Sequence, residues 1–184
     1  YGDSEGFFKN TATAQPGTGA ADPKYKRFGG GENWLLRATL LWKPTDSFKA
    51  RLKANLARDK YHQGGSSQLD NCPDGFANPY TPPGFAAPVS FYHPTEDCKY
   101  NRNVNFVDVT TASFPNVRNN GTPFLDVKQN FGTLEMSYDF SPQISLTSTT
   151  GLYDAHADTF ISGSFAGYAA PTITADNIFD REEF

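Results

Sequence analysis

Long hydrophobic runs are missing from this 184-residue sequence, and so is a basic segment followed by an apolar one at its start. Its unbroken apolar stretches are a few residues long, against the roughly 20 that a membrane-spanning helix requires. That excludes a helical membrane anchor and a secretory leader within these residues. The sequence begins at Tyr1-Gly2-Asp3, in the middle of a pattern, and reads as an internal piece of a longer chain. Basic excess is missing too: 16 Lys and Arg stand against 20 Asp and Glu, a net charge of -4. With no cationic footprint for a phosphate backbone, a nucleic-acid partner is excluded.

Chemistry-bearing residues are equally sparse. His62, His93 and His156 are isolated in sequence, without the close spacing of a zinc site. No nucleophile stands near a base, so catalysis is not expected, and no cofactor motif occurs. Asp154, His156 and Asp158 alternate onto one face of a strand end. They are the best candidate metal ligands, although a hydrated rim explains them as well. The two cysteines, Cys72 and Cys98, lack a CxxC arrangement and lie in a polar, Pro-rich stretch. Paired with each other, they would close a loop of about 25 residues, worth roughly 3 kcal/mol of chain entropy, in an oxidising compartment. Asn120-Gly121-Thr122 matches a glycosylation acceptor, but Asn-Gly is first a turn signal.

Aromatic residues are plentiful, at 15%, with 16 Phe and 9 Tyr against a single Met. They suit interfaces more than an aliphatic core. Four segments alternate apolar and polar residues at period two, the signature of strands with one greasy face. They are expected at about 34–43, 47–60, 131–140 and 144–157. In the first, Trp34, Leu36, Ala38, Leu40 and Trp42 share a face. In the second, Phe48, Ala50, Leu52, Ala54 and Leu56 do so. In the third, Leu134, Met136, Tyr138 and Phe140 do the same, while the fourth is weaker because Ser148 and Thr150 interrupt Ile144, Leu146 and Leu152. All 13 prolines lie outside the four segments, as a hydrogen-bonded ladder requires.

Pro44-Thr45-Asp46 and Ser141-Pro142-Gln143 make short connections at one end, whereas about 61–130 forms one very long loop at the other. A structureless loop of that length is foreign to a compact soluble domain. Short turns at one end and long loops at the other match outer-membrane β-barrels, whose apolar band is flanked by aromatic rings. Trp42, Phe48, Tyr138 and Phe140 flank the short turns. On this expectation the apolar face meets outer-membrane lipid. Arg37, Lys49, Arg51, Lys53, Glu135 and Asp139 face the lumen, because basic groups in mid-bilayer cost roughly 2 to 4 kcal/mol each. Phe91, Tyr92 and His93 in the long loop offer rings for contact with an extracellular ligand, although loop packing is the favoured account of them.

The stretch 131–140 followed by 146–153 resembles a barrel hairpin of TonB-dependent outer-membrane receptors. Phe28-Gly29-Gly30-Gly31-Glu32, Leu40-Leu41-Trp42-Lys43-Pro44, Val117-Arg118-Asn119-Asn120-Gly121 and the segment 176–184 are similar to loop and strand stretches of one large subgroup, in the same order. The resemblance implies an all-β, antiparallel transmembrane barrel of 22 strands around a plug. It also implies uptake of a siderophore, cobalamin, saccharide or other bulky small molecule from outside the cell, driven by TonB. On this reading the chain supplies about four complete strands of the wall and its outer loops, in the outer membrane of a Gram-negative bacterium. The plug, the remaining strands and the TonB-contacting segment belong to the parent protein. The competing expectation is a secreted or surface-exposed β-sandwich that binds or adheres.

Overall fold

The computed structural model describes residues 1–14, 16–62, 97–162 and 174–183. The fold is all-β. Its strands are β1 (Gly2–Ser4), β2 (Phe8–Asn10), β3 (Ala20–Ala21), β4 (Arg27–Phe28), β5 (Gly31–Trp42), β6 (Phe48–His62), β7 (Asn103–Val104), β8 (Asp108–Val109), β9 (Phe124–Ser141), β10 (Ile144–Ser162) and β11 (Thr174–Glu183). One antiparallel sheet of six strands, in the order β1-β5-β6-β9-β10-β11, dominates. A three-stranded sheet, β4-β2-β7, and a two-stranded one, β3-β8, form a smaller layer at one end.

All four expected strands are present, three of them markedly longer than the apolar alternation marks. β5 starts at Gly31, β6 runs to His62, β9 starts at Phe124 and β10 reaches Ser162. The added residues mix polar and apolar types, and the ladder there carries the pairs Arg58 with Asp126 and His156 with Asp180 beside the apolar contact of Phe124 with Phe160. The stretch expected as a loop over 61–130 therefore ends at residue 123. Its described part, 97–123, carries β7, β8 and a 3-10 turn at Arg118–Gly121. Residues 1–4 and 174–183 add two further strands to the main sheet. The first short connection spans 43–47 and the second 142–143.

Residues 8–14, 16–28 and 103–123 form the smaller layer around two apolar clusters. One joins Phe28, Val104 and Phe106, with the Phe28 and Phe106 rings stacked 4.6 Å apart. The other joins Val109 to Phe160 of β10, with Phe114, Val117 and Phe124 packed against them. Asn10 ties the layer together, donating from Nδ2 to the Phe106 carbonyl at 2.9 Å. Asn119 and Asn120 take positive φ values of 52° and 54°, so the Asn-Gly sequence acts as a turn. At Gly121, φ is +81° and an added Cβ would stand 1.8 Å from the Val109 carbonyl oxygen, which only glycine permits.

The sheet has two open stretches of edge. β1 pairs with β5 only at residues 31–33, and β11 reaches β10 only from Tyr153 onward. Among the described residues nothing lies beside 34–42 of β5 or beside 144–152 of β10.

Candidate functional site

Pairing registers place the even-numbered residues of β5, β6, β9, β10 from Leu146 to Phe160 and β11 from Ile178 to Glu182 on one face and the odd-numbered ones on the other, with a register shift at Ile144 and Ser145. The even face divides into zones. From the short connections outward come rings at Trp42, Phe48, Tyr138 and Phe140. The Trp42 and Phe48 rings meet edge to face at 5.8 Å, as do Tyr138 and Phe140 at 4.8 Å. Next come Leu36, Leu40, Leu52, Leu56, Leu134, Met136 and Leu152. None is buried, and Leu40 is 63% exposed.

The outward edge of this apolar zone does not run straight across the strands. On β5 it ends at Trp34, opposite Arg58, and on β6 at Leu56. On β9 it ends at Gly132, opposite Ala54, and on β10 at Leu152, opposite Gly132. Between β5 and β10 the edge thus descends from the level of Arg58 to that of Ala54, four residues over three strand spacings. At about 3.3 Å per residue and about 4.8 Å between strands, it drops about 13 Å over about 14 Å, a slant of about 42°. The inner edge slants the same way, from Trp42 opposite Ala50 down to Phe140 and Ile144, beyond the Tyr138 and Leu146 pair. The zone is a parallelogram occupying nine residues of each strand. Its height normal to the slanted edges is about 20 Å.

The odd face between the same levels carries the charges. Arg37 Nε donates to Asn55 Oδ1 at 2.7 Å, and Arg51 Nη2 lies 2.8 Å from Glu135 Oε2. Lys53 joins Arg51 and Glu135 around a small hollow of about 70 Å³ with Thr133 and Thr149. Lys49 pairs in register with Ser137, and Asp139 with Ser145. These six residues lie on the odd face by register, with Leu35, Leu41 and Phe131 exposed among them.

Beyond the apolar zone the even face turns ionic. Arg58 grips Asp126 through Nε at 2.9 Å and Nη2 at 2.5 Å. Asp154, His156 and Asp158 do lie on this one face, but each goes to a different partner. Asp154 accepts from Asn130 Nδ2 at 2.7 Å, His156 meets Asp180, and Asp158 meets Arg118. No metal-binding group of three occurs among the described residues, and the expected triad is replaced by three separate pairs. Sequence reading treated His62 as isolated, whereas its ring stacks on Tyr25 at 4.0 Å. Burial, with help from Lys60 and Lys24, lowers its pKa below the ordinary 6.5. No local signal links residues 37 positions apart, and only the folded layer reveals the contact.

Cys98 is buried and is not a free thiol, while Cys72 and the ring cluster Phe91, Tyr92 and His93 lie outside the described residues. No family model, curated protein or solved structure matches this chain.

Proposed function

We propose that this chain forms part of the wall and outer loops of a TonB-dependent outer-membrane transporter. In this reading the even face meets lipid, the odd face lines the lumen, and the parent protein imports a bulky, scarce small molecule. The observation that carries the proposal is the slant of the apolar zone. Barrel strands tilt roughly 35–45° to the membrane normal, so a lipid slab crosses them obliquely and leaves an apolar band whose edges are staggered from strand to strand. A band of about 20 Å is close to the roughly 25 Å of such barrels, and aromatic rings mark its inner edge. The choice of TonB-dependent transport rests on the resemblance of 131–153 and the accompanying stretches.

Cys72 and Cys98 form a staple in this reading, lowering the ordering cost of a ligand-capturing loop. Spin labels at Leu40 and Leu52 should respond to lipid-soluble quenchers, and labels at Thr39 and Lys53 to aqueous ones. Deleting residues 73–97 should reduce uptake and leave assembly intact, and loss of TonB should abolish uptake altogether. Uptake that survives both changes removes the transporter reading.

A further inference from the structure

Charge is spread unevenly over the odd face, and it gathers around Lys53, next to the midpoint of the apolar segment Phe48 to Leu56 on β6. Lys53 stands opposite Thr39 on β5 and Thr133 on β9, so neither register position holds a carboxylate. Its diagonal neighbours, about 7–8 Å away, include Arg37 and Glu135. Glu135 is already bound to Arg51 at 2.8 Å, and the two are neutral as a unit. The other carboxylates of these strands on this face, Asp59 and Asp139, are remote. Asp59 follows Lys53, and Asp139 follows Thr133, by about 20 Å of strand. Lys53 takes part in no ion pair among the described residues. Arg37 spends only its Nε on the neutral Asn55, which leaves both Nη groups without a partner among the described residues. Three cations, Arg37, Arg51 and Lys53, thus meet one carboxylate, in a chain that is acidic as a whole. The hollow of about 70 Å³ lies within this patch, lined by Arg51, Lys53, Glu135, Thr133 and Thr149. Neither threonine hydroxyl has a partner among the described residues.

We propose that this patch binds a carboxylate of the imported molecule, which is therefore an anionic, carboxylate-bearing compound. Lys53 and the free arms of Arg37 are charged donors, and such donors hold a carboxylate roughly twice as strongly as neutral ones. The Thr133 and Thr149 hydroxyls donate to its remaining lone pairs from the hollow, which is larger than the roughly 10–15 Å³ that a single water needs. Glu135 on the same lining favours a flat, singly charged group over a doubly charged phosphate. The carboxylate site rests on the odd face alone, whereas its meeting an imported molecule rests on the reading of that face as the lumen lining.

The test uses the full-length protein in nonionic detergent, titrated calorimetrically with tricarballylate and, separately, with its uncharged trimethyl ester. Tricarballylate should bind at least tenfold more tightly than the ester. The double variant Arg37→Gln, Lys53→Gln should weaken that binding at least tenfold, and Lys53→Gln alone, a change of one exposed side chain, at least threefold. Lys53→Arg should retain it. Lys60→Gln with Lys128→Gln, an equal loss of charge on the even face, should leave it unaltered. Absence of tricarballylate binding, binding indifferent to the Lys53 variants, or equal binding of the ester overturns the site. Binding that behaves as expected, together with aqueous quenching at Leu40 and Leu52, keeps the carboxylate site and overturns its link to import.

Discussion

Arginine placed at successive even positions should trace the slant of the apolar zone. Its midline passes through Ala38 on β5, Leu52 on β6, Met136 on β9 and Ser148 on β10, each four residues from both ends of its own strand's apolar segment. At about 3.3 Å per residue and a tilt of about 42°, each lies about 10 Å from either edge. An arginine on the lipid face costs about 2–4 kcal/mol at the midplane and about 0–1 kcal/mol near the interfaces. Leu52→Arg and Ser148→Arg should therefore cost about 2–4 kcal/mol alike, although one replaces an aliphatic residue and the other a polar one. Phe48→Arg and Leu56→Arg, at the edges, should cost about 0–1 kcal/mol. Thr133→Arg on the odd face should be close to neutral. The assay is reversible folding of the full-length protein into lipid vesicles, followed by guanidinium titration. A soluble core beneath the even face would make Leu52→Arg costly and Ser148→Arg mild. A maximum lying along the straight row Leu40, Leu52, Leu134, Thr150 would refute the slant.

Gly121→Ala should loosen the contact of the smaller layer with β10, by about 1–3 kcal/mol for a strained backbone position; amide exchange at Val109 and Phe160 would report it. His62 has its pKa lowered in the folded state, so the unfolded chain binds the extra proton first. Its contribution is complete above the ordinary value of 6.5 and is lost as pH falls through the lower folded value. Protection factors of the amides near Tyr25, corrected for intrinsic exchange, should therefore fall at acid pH, and His62→Gln should flatten that dependence. Asp126→Ala leaves the half-exposed Arg58 unpaired and should cost about 1 kcal/mol in the same guanidinium titration.

The four long strands were legible because apolar residues recur at period two from Trp34 to Trp42 and from Phe48 to Leu56. The start of β9 at Phe124 and the end of β10 at Ser162 were not, because Asp126 and Asp158 share a face with Phe124 and Phe160 and so break the alternation. Arg58 falls within the expected strand at 47–60, whereas its partner Asp126 lies in a stretch that reads as loop. The face shared by Arg37, Lys49, Arg51, Lys53, Glu135 and Asp139 followed from parity and needed no tertiary information. The separation of Asp154, His156 and Asp158 did need it, since Arg118 and Asp180 come from a turn and a strand that sequence reading could not dock.

The two open edges of the sheet bear on the order in which such a chain could assemble. Both lie within the apolar zone, one along 34–42 and the other along 144–152, while the outer half carries its own clusters at Phe28 and Phe160. On the proposed reading that the even face meets lipid, neither edge can enter it before another strand has closed over it, because each unpaired backbone group in hydrocarbon costs several kcal/mol. The outer half faces no such barrier and can consolidate in water. The same reading expects seam closure and lipid entry to be one kinetic event that follows consolidation of the outer layer.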